Sequence, residues 1–235
     1  MIDYEGRFGS IAAGRQTFVA SAFKLVYGWM AAGLALSGVV ALLVAGKGLT
    51  AEMGQGMFLG LAIAELALVF VLSAAINKLP LMVAYLMFFV YAALNGVTLS
   101  VIFIIYPLAT IETTFFVTAA MFAGLAVWGT ITKSNLSSVG SICGMAVWGI
   151  LIAMIVNMFV GSAQLDWLVS IVGVLAFTGL TMYDAQKIKA LADNQGAYDS
   201  VTLQKVGILG ALTLYLDFIN LFLFLLRLMS GKSRD

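Results

Sequence analysis

Three carboxylates fall inside stretches that are otherwise apolar: Glu65 in LAIAELALVF, Asp184 in GLTMYDAQKIK and Asp217 in LTLYLDFINLFLFLLRLM. An aspartate at the centre of a membrane helix costs about 2.5–3.5 kcal/mol on insertion scales, so each needs a local offset or a functional reason. The chemistry open to them is narrow. The chain has no histidine, which removes His-containing triads, His–metal sites and the imidazole pH switch. Proton chemistry therefore falls to Asp, Glu, Tyr or Lys. The single cysteine, Cys143, excludes an intrachain disulfide.

Asp217 has the most informative surroundings. Gly210, Thr213, Asp217, Asn220, Phe224 and Arg227 recur at three- and four-residue steps, so they share one face of a helix. A mostly polar stripe on a Leu/Phe helix should face protein or water, and the other helices should surround it. Asp184 has Thr181 one turn before it and Lys187 three residues on. It reads either as half of an ion pair with Lys187 at the membrane edge or as a titrating site. Tyr91, Asn95 and Thr98 form another polar face, best read as interhelical hydrogen bonding by Asn95. Glu65 has no polar companion one turn away. Desolvation of a lone glutamate favours its neutral form, as a structural donor or a proton-sensitive element. Spacing alone does not bring Asp184 and Asp217 together. They meet only if the last helix begins below the bilayer.

The elements that must hold these groups follow from composition. The chain has 235 residues, 63% hydrophobic and 10% charged, which points to an all-α, polytopic membrane bundle. Seven runs reach the roughly 20 residues needed to cross a bilayer: 25–46, 57–76, 80–105, 112–132, 138–161, 166–187 and 207–229. The expected organisation is a polar tail (1–24), a seven-helix transmembrane domain (25–229) and a short C-terminal tail (230–235). The polar opening MIDYEGRFGSIAAGRQTF does not read as a secretory leader. The longest polar connection is 189–206. With the N-terminus inside, eight of the 12 Lys and Arg fall on the inner face and four on the outer, which favours a cytoplasmic N-terminus. The basic C-terminal tail is discordant, and a re-entrant last segment would reconcile it. Gly28 with Gly33, and Gly56 with Gly60, have the spacing that lets membrane helices approach closely. A net charge of +1 offers no field for nucleic acid.

The motifs YAALNGVTLS, GLTMYDAQKIK and LTLYLDFINLFLFLLRLM, in a seven-span chain, resemble the Bax-inhibitor family over residues from about 20 to 229. That resemblance implies six helices around a central seventh and a place in the bacterial inner membrane. It implies a proton-sensitive calcium leak whose gate is a pair of aspartates, Asp184 and Asp217, with transient calcium between them. Thr181, Thr213, Asn220, Glu65 and Asn95 are the supporting polar groups, and no cofactor is expected. Eukaryotic relatives suppress cell death. Some bacterial members bind a membrane-anchored ATP-dependent protease instead, a role in which the N-terminal tail would be the contact. Many relatives carry an arginine near the end of the second helix. Here LSAAINKLP places Ala75 at or near that position, with Lys78 the nearest base.

Enzyme classes fit less well, and no enzymatic activity is expected. Presenilin-like proteases also use two membrane aspartates, and Tyr183-Asp184 matches their first motif. Asp217 follows Leu214-Tyr215-Leu216 and lacks the Gly-x-Gly of their second. Helix seven has no internal lysine for a retinal Schiff base, and rhomboid-type serine catalysis lacks its histidine.

Overall fold

The computed structural model describes residues 4–194 and 200–230, which form helices and short turns with no strand. The helices are α1 (Tyr4–Gly46), α2 (Leu49–Glu52), α3 (Gln55–Ala75), α4 (Leu81–Leu99), α5 (Ile102–Ile105), α6 (Leu108–Ile131), α7 (Ser137–Val160), α8 (Ala163–Asn194) and α9 (Ser200–Met229). Both prolines stand immediately before a helix, Pro80 before α4 and Pro107 before α6. There the missing N–H would have had no intrahelical partner. Gly161 ends α7 at φ 66°, the left-handed conformation in which glycine carries no Cβ penalty.

Among the described residues, seven helical segments are long and apolar enough to cross a membrane, as expected; one of them joins α4 and α5 over Leu81–Ile105. The first, fourth, sixth and seventh run longer than hydropathy suggests. Residues 4–24 continue the first span as helix, and α8 and α9 extend into the polar 189–206 connection, of which 195–199 lie outside the described residues. α9 is unbroken from Ser200 to Met229, so the re-entrant alternative finds no break in the helix. It is also the most enclosed span. Buried residues make up 67% of its most apolar stretch, against 6–39% in the other six. Elsewhere large apolar side chains cover the outside, Phe159 at 86% exposure and Met158 at 82% among them. Water would oppose such a surface and lipid would not.

The chain divides into two compact units, residues 1–101 with 187–213, and residues 102–186 with 214–235. In the first, α1 packs on α4 where Ser37 Oγ donates to the Ala92 carbonyl at 2.6 Å. A Cβ on Gly96 would lie 2.6 Å from the Ser37 carbonyl oxygen, so only glycine admits that approach. Thr50 Oγ1 donates to Ser100 Oγ at 2.8 Å, and Lys205 Nζ donates to the Asn77 carbonyl at 3.0 Å. In the second unit Ile150, Val169, Ala176, Phe177, Leu221 and Phe224 form the core. Of the four glycines whose spacing suggested close approach, Gly33 of α1 is buried, and the other three have room for a side chain. A Cβ on Gly28, Gly56 or Gly60 meets nothing within 4 Å. Close approaches that a Cβ would crowd lie at Gly96, Gly129, Gly140, Gly173, Gly179, Gly207 and Gly210.

Candidate functional site: two buried aspartates

Asp217 lies in the part of α9 where Leu214, Tyr215 and Leu221 are fully buried. One residue on, Phe218 meets Phe115 and Phe122 of α6 edge-on, with centroids 5.6 and 5.5 Å apart. These contacts fix the rotation of α9 and carry Asp217 inward, to 4% exposure. Its Oδ2 is buried without a hydrogen-bond partner among the described residues. Such an orphan costs about 1–3 kcal/mol, more for a charged group.

Asp184, 9% exposed, is held by a different device. The backbone of α8 at Met182 lies against Gly129 of α6, and the Tyr183 ring lies against Gly140 of α7; a Cβ at either glycine would collide. Gly179 likewise makes room for Cys143 of α7. Two residues beyond the aspartate, Gln186 accepts from the Leu136 N–H at 2.9 Å and donates to the Ser134 carbonyl at 2.8 Å. This clamp ties α8 to the α6–α7 turn. The two aspartates occupy the same unit and stand within range of each other's charge. The early start of α9, seven residues before the expected 207, supplies the overhang that such a meeting requires.

The other expected residues sort themselves by what they touch. Thr181 is fully buried and donates to the Phe177 carbonyl at 2.7 Å. Asn220 donates to the Leu216 carbonyl at 2.8 Å. Both donors are thus engaged by their own helices, which leaves their oxygens as acceptors. Thr213 is half-buried on α9. Glu65 is not a lone carboxylate. It receives Asn95 Nδ2 at 3.2 Å on one oxygen and Thr98 Oγ1 at 2.6 Å on the other. The partners come from α4, which a search within its own helix could not find. Asn95 makes the interhelical bond expected of it.

A family described as "Inhibitor of apoptosis-promoting Bax1" matches residues 16–235 of the chain. The chain belongs to this family. Its similarity extends to the inner membrane protein YbhL of Escherichia coli, 47% identical over 223 residues that cover 94% of each chain. An uncharacterized protein of Deinococcus radiodurans is 45% identical over 210 residues, covering 89% of each chain. Another, of Borreliella burgdorferi, is 40% identical over 213 residues, covering 89% of this chain and 91% of its own.

The end of the second span holds no arginine. Ala75 is the last residue of α3, and Lys78 is exposed in the turn that follows. Sequence reasoning missed the glycine socket and the Gln186 clamp. The clamp left a local trace, since GLTMYDAQ places Gln186 two residues from Asp184, but nothing local says what it meets, and the socket glycines Gly129 and Gly140 lie on other helices.

Proposed function

We propose that this chain is a pH-sensitive leak for calcium or a similar cation across the bacterial inner membrane, gated by Asp184 and Asp217. The observation that carries the reading is the orphaned, buried Oδ2 of Asp217 within range of a second buried carboxylate. Native structures rarely leave such an atom unmatched, and a proton or a passing cation would match it. Two nearby carboxylates in low dielectric resist joint ionisation, so the closed pair shares one proton. Loss of that proton adds repulsion between α8 and α9 and opens the way for a hard cation, which carboxylate oxygens favour. Among the described residues no three His, Cys, Asp or Glu gather to hold a metal ion. Two carboxylates alone suit an ion in transit, because a resident calcium takes six to eight oxygens. Placement in the inner membrane rests on the named E. coli relative and on seven helices of spanning length.

Calcium flux into liposomes holding the purified chain, between about pH 6 and 8, tests the proposal. Flux should rise with pH in the wild type. Asp184→Asn and Asp217→Asn should each remove most of that dependence, and the double variant should add little, because coupled sites titrate as a unit. Wild-type liposomes no leakier than empty ones would remove the leak and leave protease binding as the role to test.

A further inference from the structure

A second polar cluster in the same unit has no part in the gate. A cleft of about 220 Å³ is lined by Met154, Asn157, Met158, Asp166, Val169 and Arg227. Asn157 lies three residues before the end of α7, Asp166 three after the start of α8, and Arg227 two before the end of α9. Three apolar spans therefore end around it, the depth at which lipid headgroups begin. The flanking surface is strongly apolar, with Phe159 86% and Trp167 48% exposed.

The cleft holds one full charge of each sign. Arg227 Nη1 lies 3.5 Å from Asp166 Oδ1, with the arginine side chain 31% and the aspartate 52% exposed. The separation exceeds the 2.7–2.9 Å of a charge-assisted hydrogen bond, so each partner keeps most of its capacity for a ligand. The guanidinium lies 5.7 Å from the Phe224 ring centroid. Its remaining N–H groups make no hydrogen bond among the described residues, and a guanidinium carries five donors in a fork that matches phosphate. Asn157 Oδ1 accepts from the Ser162 N–H at 2.8 Å, which orients the amide and leaves its nitrogen as a donor. Tyr106, in the turn before α6, is close enough to feel both charges. Burial pushes its hydroxyl up, Arg227 draws it back and Asp166 adds to the rise. It stays a neutral donor at physiological pH.

We propose that this cleft binds the headgroup of a phospholipid that carries a primary ammonium beside its phosphate, as phosphatidylethanolamine does. Arg227 takes the phosphate, Asp166 takes the ammonium, and Met154, Met158 and Val169 receive the glycerol and the first acyl carbons. The same chemistry selects against other lipids. A trimethylated ammonium has no N–H for Asp166, and a glycerol headgroup brings that carboxylate no cationic group.

Native mass spectrometry of the full chain in detergent tests this directly. Phosphatidylethanolamine, phosphatidylcholine and phosphatidylglycerol with identical acyl chains would be supplied in equal amounts. Wild type should retain the ethanolamine lipid about fivefold over either competitor, a modest difference on the affinity scale. Asp166→Asn should reduce it to the level of the choline lipid, whereas Arg227→Gln should weaken all three. Equal retention of ethanolamine and choline lipids by the wild type would overturn the proposal without recourse to any variant. Retention of soluble phosphoethanolamine as strong as that of the intact lipid would overturn the lipid as occupant.

Discussion

Glu65 and Asp217 present the same desolvation problem and meet it differently. Glu65 receives a donor on each oxygen from Asn95 and Thr98, whereas Asp217 keeps one oxygen buried and unmatched. The first arrangement stabilises a helix pair, and the second stores a cost that a proton or a cation relieves. Interhelical hydrogen bonds in membranes average about 0.6 kcal/mol and reach about 1.7. Glu65→Ala, which loses two, should therefore cost about 1–2 kcal/mol in a detergent or SDS unfolding titration. Glu65→Gln keeps an acceptor for Thr98 and should cost about half as much. The pH dependence of flux should survive Glu65→Gln. Its loss there would move the sensor from the aspartate pair to α3.

At the scale of the element, the position of α8 is decided by what it packs against. Gly129 and Gly140 admit Met182 and Tyr183 at distances that no other residue type allows, and Gln186 locks the next turn to the α6–α7 connection. Overpacking costs typically about 1–3 kcal/mol, so Gly129→Ala should destabilise by that amount. It should also shift the pH at which flux rises, because Asp184 moves with the backbone it stands on. Gly60→Ala is the control. Its Cβ meets open space, and the helix gains up to about 1 kcal/mol in backbone entropy. Similar thermal stability in the two variants would show that the socket does not hold α8. The Gly56/Gly60 spacing looked like a packing motif and is not one here, since a repeat of small residues does not say whether that face meets protein.

For the molecule as a whole, an odd number of full crossings would put the two termini on opposite sides of the bilayer. Lys and Arg favour the N-terminus inside by eight to four, and the unbroken α9 supports full crossing of the last span. In a Cys143→Ser background, a membrane-impermeant maleimide should label Lys232→Cys in intact cells. Ser10→Cys should react only after permeabilisation. Labelling of both in intact cells, or of Ser10→Cys alone, would reverse or break this topology.

The sequence alone determined the membrane class, the number of spans and the identity of the three carboxylates within them. Each follows from composition and from local periodicity, and a short window of residues contains both. It also marked α9 as the enclosed helix, because a polar stripe on a Leu/Phe background has no business facing lipid. Helix ends ran beyond the hydropathy runs because helix continues past the apolar stretch: α1 begins at Tyr4 and α9 at Ser200. Tertiary structure alone decided which partners the carboxylates meet. Glu65 finds Asn95 and Thr98 some thirty residues on, and Asp166 meets Arg227 from the far end of the bundle's last helix. The glycine socket beneath Tyr183 forms from α6 and α7. Those are contacts between helices, and a helical period reports which face a residue occupies without naming the surface that comes to meet it.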